Sequence, residues 1–166
     1  DMVSYTMTVL TVRQKSKRKM IEFVDTHTHL FVSEFNEDRD AAVQRALSAG
    51  VKKLCLPSIT EDSLPDIFAM CRDYPGVCYP MIGLHPTELD EKYKAVLDRL
   101  YAILKNEDRF IAVGEVGIDL YWDDTRKSEQ IDALCRQLQL AHEMNLPLVI
   151  HSRNAFDELC SVMENR

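Results

Sequence analysis

Five short apolar runs recur along this chain, at positions 21–24, 51–56, 77–82, 110–113 and 148–150. After each comes a stretch whose apolar residues fall three or four apart. Val43, Ala46 and Leu47 make the first stripe, closed by Gly50, a residue suited to stopping a helix. Leu64, Ile67, Phe68 and Cys71 make the second. Tyr93, Val96, Leu97, Leu100, Ile103 and Leu104 give the longest, followed by Ile131, Leu134, Cys135 and Leu138, and then by Phe156, Leu159, Cys160 and Met163. This spacing predicts helices with one buried face. Five strand–helix pairs in succession predict an α/β fold built on a parallel sheet.

Two parallel architectures fit that alternation, an open doubly wound sheet and a closed barrel. The first strand lacks the glycine-rich phosphate turn of dinucleotide folds. Polar residues gather instead past the carboxyl ends of several strands, where barrel enzymes keep their active sites. The expectation is a (β/α)8 TIM-type barrel, of which 166 residues hold about the first five units, because a full barrel takes about 250. Five units leave strands one and five as open edges, so self-association through them is also expected.

Composition narrows the class. The 46% apolar and 28% charged content is that of an ordinary globular domain, and no run approaches the roughly 18–20 apolar residues of a membrane span. Residues 1–19 differ from the rest: they lack a clear period and end in a basic run, Arg13-Gln14-Lys15-Ser16-Lys17-Arg18-Lys19. They read as a flexible N-terminal extension ahead of a domain at 20–166. The extension holds five of the 20 basic residues and one of the 27 acidic ones. The remaining 15 basic and 26 acidic residues give the domain a net charge of −11. Such a body lacks a broad basic face for nucleic acid, so a phosphate substrate would need bound cations to supply positive charge. The five cysteines form no Cys-x-x-Cys pair and lie mostly within apolar patterns. They read as reduced core residues of a cytoplasmic protein.

The candidate chemistry begins at the first strand, Val24-Asp25-Thr26-His27-Thr28-His29-Leu30. Side chains alternate along an extended chain, so Phe23, Asp25, His27 and His29 should share a face and bring two imidazoles together. Paired neutral imidazoles can grip one metal ion, although a solvated strand end explains them as well. Three later strand ends carry Gly83-Leu84-His85-Pro86, Gly114-Glu115-Val116-Gly117-Ile118-Asp119 and Ile150-His151-Ser152-Arg153. Glu115 between glycines fits a carboxylate needing room for an ion; it also fits an exposed turn. His151 is a ligand or a hydrogen-bonded core histidine. Tyr121 and Trp122 can stack on a base, but packing beneath a loop is their more ordinary fate. His142, four after Leu138, reads as structural. Four strand ends bearing metal-ligand types together favour a cation site.

These motifs, in this order and including Leu146-Pro147-Leu148-Val149-Ile150-His151, resemble the TatD-type metal-dependent deoxyribonucleases of the amidohydrolase superfamily. The resemblance implies a two-cation centre that hydrolyses phosphodiester bonds in DNA, at ends or in single strands. His27 and His29 would hold the first cation, Glu115 would bridge both, and His151 would hold the second. Glu115 and Asp119 would serve catalysis, Asp119 and Asp25 by orienting a ligand or the water. His85 and Arg153 would face the substrate phosphate. Histidine and carboxylate donors leave zinc, magnesium and manganese open. The family pattern adds a histidine after a sixth strand and an aspartate after an eighth, which these residues do not include. Without that aspartate the 166 residues alone should turn over little substrate. Two other functions stay in view. One is a C–N hydrolase of the superfamily, disfavoured because a carboxylated lysine would be expected where Glu115 stands. The other is a catalytically silent metal-binding or assembly module.

Overall fold

The computed structural model describes residues 22–122 and 124–164; the basic extension expected over 1–19 lies outside them. Five strands and five longer helices alternate: β1 (Phe23–Asp25), α1 (Arg39–Ser48), β2 (Val51–Leu56), α2 (Leu64–Asp73), β3 (Cys78–Pro80), α3 (Tyr93–Asn106), β4 (Val113–Asp119), α4 (Lys127–Met144), β5 (Leu148–Arg153) and α5 (Phe156–Glu164). All pairings are parallel. β2 lies between β1 and β3, and β4 pairs with β5. An isolated parallel bridge, Ile82 to Val113, joins the two groups, so the spatial order follows the order in sequence. A doubly wound sheet reverses its order at a switch point; none occurs here. The architecture is five consecutive units of the (β/α)8 barrel type.

Alternation along the strands sorts side chains to two faces. Leu54 and Leu56 of β2 pack outward with Val43 of α1 and Ile67 and Met70 of α2. Cys55 between them turns to the other face, where it meets Met81 just past β3, Ala112 just before β4 and Val149 of β5. That small cluster is a layer of barrel interior. The larger outer cluster sets Leu97, Leu100 and Leu104 of α3 and Leu134 of α4 against Val113, Val116 and Ile118 of β4. Fully burying a side chain of this kind contributes about 1.5–3 kcal/mol, so the helical stripes hold the strands in place. Among the described residues no helix is long and apolar enough to cross a membrane.

The five helices fall where the stripes predict, but two strands do not. The run at 110–113 only leads into β4, contributing Val113, and Gly114-Glu115-Val116-Gly117-Ile118-Asp119 makes up the rest of the strand, buried along its whole length. The glycines are there for the neighbouring strand. A Cβ on Gly117 would lie 1.9 Å from the His151 carbonyl oxygen, and one on Gly114 would lie 2.7 Å from Val149 Cβ. Strand β5 likewise runs on through His151 and Arg153 instead of stopping at 150. A further correction concerns His142, which is exposed: the buried face of α4 carries Gln130, Ala133, Leu134, Gln137 and Ala141.

Candidate metal centre

Each functional side chain is placed by a local backbone device. Past the end of β1 the chain leaves the ladder, and the Asp25 carboxylate accepts the His27 backbone N–H at 3.1 Å. The Thr28 N–H donates to the Cys55 carbonyl at 3.1 Å, tying the His27–His29 turn to β2. Arg39 at the start of α1 then fixes the exit. Its guanidinium donates to the carbonyls of Leu30, Phe31 and Val32 at 2.7, 2.9 and 3.0 Å. Ser58, fully buried after β2, couples three strand ends. Its hydroxyl donates to the Gly83 carbonyl and accepts the Gly83 N–H, both at 2.7 Å, while its own carbonyl accepts the Glu115 N–H at 3.1 Å.

Two glutamines on the buried face of α4 perform the same service from the other side. Gln137 accepts the Leu84 N–H at 2.8 Å and donates to the Leu84 carbonyl at 3.2 Å, beside His85. Gln130 accepts the Asp119 N–H at 2.7 Å and donates to its carbonyl at 3.0 Å. Unpaired buried amides would each cost about 1–3 kcal/mol. Arg39, Ser58, Gln130 and Gln137 were not anticipated from sequence. A polar pair seven apart on an otherwise apolar helical face was the available signal for the glutamines.

These supports bring four strand ends to one carboxylate. Glu115, 7% exposed, lies with Oε2 3.1 Å from His27 Nε2 and 3.4 Å from His29 Nε2. The two imidazole nitrogens are themselves 3.1 Å apart. The other oxygen, Oε1, is 3.0 Å from His151 Nδ1 and 3.8 Å from His85 Nε2. Asp119 Oδ2 reaches His151 Nε2 at 2.9 Å. Burial alone would raise the Glu115 pKa, but hydrogen bonds from His151, His27 and His29 hold it well below the usual carboxylate range. The same carboxylate raises His27 and His151 above the ordinary histidine value, against desolvation. His85 goes the other way: burial lowers it to about 4, with Glu115 opposing only in part.

The donor set fits divalent cations. Zinc–nitrogen and zinc–oxygen bonds of about 2.0–2.2 Å in a tetrahedron put neighbouring ligand atoms about 3.3 Å apart. The triangle of His27, His29 and Glu115 has edges of 3.1, 3.1 and 3.4 Å. His85, Glu115 and His151 form a second group sharing the same carboxylate. Asp119 on the far nitrogen of His151 would fix the tautomer, with Nε2–H donating to the carboxylate and Nδ1 left as the ligand atom.

The structure thus assembles His27, His29, Glu115 and His151 as the sequence leads one to expect, with Asp119 against His151. His85, expected on the substrate phosphate, lies with its Nε2 3.8 Å from Glu115 Oε1, beside His151. The Asp25 carboxylate hydrogen-bonds the His27 backbone N–H, and its charge helps raise the His27 pKa. The Arg153 guanidinium packs over the Tyr121 ring at 3.7 Å, beside the centre. Tyr121 and Trp122 are not covered by a loop: they are 51% and 71% exposed.

Comparison with known proteins identifies relatives of this chain. A family described as TatD related DNase matches residues 24–166. The Escherichia coli metal-dependent hydrolase YjjV is 36% identical over 138 residues, covering 82% of this chain and 53% of that protein. The human deoxyribonuclease TATDN3 is 34% identical, covering 81% and 53%. The Salmonella typhimurium 3'-5' ssDNA/RNA exonuclease TatD is 31% identical, covering 84% and 53%. The crystal structure of Escherichia coli YjjV superposes with a TM-score of 0.79 at 34% identity, over 86% of this chain and 55% of that one. The chain spans about half the length of these relatives, and it belongs to the TatD-related DNase family.

Proposed function

We propose that this chain carries the N-terminal half of the active centre of a phosphodiester hydrolase acting on DNA ends with two divalent cations. The observation that carries this reading is the sharing of one buried carboxylate, with His27 and His29 on Oε2 and His151 on Oε1. His27, His29 and Glu115 would hold one ion; Glu115 and His151, with His85 beside them, would hold the other. When bound, such ions neutralise phosphate charge and lower the pKa of an attacking water. The chain's own residues set the frame. Glu115 remains ionised at neutral pH because three imidazoles hydrogen-bond to it. Asp119 orients His151, Asp25 fixes the backbone of His27, and Arg153 offers a planar cation to phosphate. An acidic domain of net charge −11 leaves the cations as the principal attraction for a polyanion. Five thiols that form no disulfide suit a reducing, cytoplasmic setting.

The test is shortening of end-labelled single-stranded DNA by these residues joined to the remaining barrel units, with Mg²⁺, Mn²⁺ or Zn²⁺ present. Chelator-sensitive cleavage is expected, abolished by Glu115→Gln together with reduced metal content. The 166 residues alone should show little turnover. Full activity and normal metal content in Glu115→Gln would overturn the assignment.

A further inference from the structure

Beside the metal centre lies a cavity of about 220 Å³ whose walls include Pro86, Thr87, Leu89, Asp119, Trp122 and Arg126. It shares two walls with the centre. Asp119 contacts His151 at 2.9 Å, and the Thr87 hydroxyl lies 2.7 Å from His85 Nδ1. Its volume is below the roughly 300–1,000 Å³ of sites for drug-sized ligands, so it suits a smaller fragment.

Its chemistry is specific. Trp122 is 71% exposed although it carries the largest apolar surface of any side chain type in the protein. It stands edge-to-face on Tyr121, with ring centroids 4.8 Å apart at 88°, and the Tyr121 N–H is tethered to Asp119 Oδ1 at 3.0 Å. The Arg153 guanidinium lies 3.7 Å from the Tyr121 ring and 5.2 Å from the Trp122 ring, which holds the cation against the aromatic pair. An aromatic wall with its guanidinium and the Thr87 hydroxyl therefore stand beside residues of the proposed metal centre. A flat heteroaromatic ring attached to a substrate phosphate matches this combination.

We infer that the cavity between the His85 turn and Trp122 is a subsite for one unpaired nucleobase, stacked on Trp122, of the nucleotide at the cleaved phosphate. An interior base of a duplex has both faces covered by its neighbours, whereas a base at a strand end or in a single strand can present one to Trp122. The inference rests on the phosphodiester-hydrolase reading and adds what that centre recognises.

Trp122 is the sole tryptophan, so its emission reports the subsite directly. The Mg²⁺-loaded protein is titrated with thymidine 5′-monophosphate and, separately, with deoxyribose 5-phosphate; neither carries a diester to cleave. The nucleotide is expected to change Trp122 emission saturably. The sugar phosphate should leave it unchanged and bind on the order of tenfold more weakly. By equilibrium dialysis, Trp122→Ala should lose affinity for the nucleotide by on the order of tenfold, while Trp122→Phe stays within about threefold. Equal binding of the two ligands, or wild-type affinity in Trp122→Ala, would overturn the base subsite. Metal content measured on the same samples separates the two failures. Normal metal with equal binding removes the subsite alone, whereas absence of bound metal removes the hydrolase reading on which it rests.

Discussion

Replacing Gly117 by alanine tests whether the closeness of β4 and β5 is what builds the site. A Cβ there would sit 1.9 Å from the His151 carbonyl oxygen, against an ordinary contact that begins near 3.4 Å, so the strands must part by about 1.5 Å. The φ of 154° at Gly117 adds strain for any L side chain. Overpacking of a well-filled site costs about 1–3 kcal/mol, and each ladder hydrogen bond lost adds about 1 kcal/mol. A total on the order of 4 kcal/mol corresponds to a fall in Tm of roughly 10 °C for a protein of this size. The functional consequence is larger. His151 lies 3.0 Å from Glu115 and 2.9 Å from Asp119, and the same displacement takes it beyond hydrogen-bond reach of both. Thermal melting by circular dichroism and Zn²⁺ titration by calorimetry read the two effects. Gly76→Ala is the control: its φ is also positive, at 76°, but a Cβ there meets nothing within 4 Å. It should cost only about 1 kcal/mol and leave metal binding intact. A Gly117→Ala protein melting within about 2 °C of wild type, with unchanged Zn²⁺ affinity, would show that the close approach of β4 and β5 does not build the site.

Two further outcomes follow from the site's supports and its charges. Gln130→Ala strips both backbone partners from Asp119 inside the core, so stability should drop by roughly 2–4 kcal/mol in urea unfolding; a loss under 1 kcal/mol would show those amides find other partners. By NMR titration of the metal-free protein, His27 and His151 should lose their protons above pH 6.5, while His85 stays neutral until about pH 4. The first pair, raised on folding, stabilises the metal-free protein fully below pH 6.5 and loses that contribution as pH rises through their folded values. His85, lowered on folding, disfavours the folded state progressively as pH falls from 6.5 toward 4. Zn²⁺ binding near pH 6 should therefore release protons from His27 and His151, and a proton-neutral binding heat across several buffers would contradict this assignment.

What the sequence made legible follows from which signals are local. Helical stripes such as Leu97, Leu100 and Leu104 declare themselves because one face is dry. The histidines and Glu115 are readable because their types and order are uncommon. The limits of β4 were misplaced because Gly114 and Gly117 look like loop residues until a second strand is laid against them. That contact belongs to the pair of strands and leaves no trace in either alone. The buried serine and glutamines escaped for a related reason. Their partners are backbone groups 11 to 53 residues away, and backbone carries no sequence label. Trp122, for which packing beneath a loop is the ordinary expectation, is 71% exposed and touches Tyr121 edge-to-face instead.

The most direct measurement is a calorimetric Zn²⁺ titration of the 166-residue protein beside Glu115→Gln. If one carboxylate organises both donor groups, wild type binds through His27, His29, Glu115 and His151, and the amide variant loses affinity for every ion by at least tenfold, since both groups contain Glu115. Equal stoichiometry and equal affinity in the two proteins would show that the ions, if they bind, are held somewhere else.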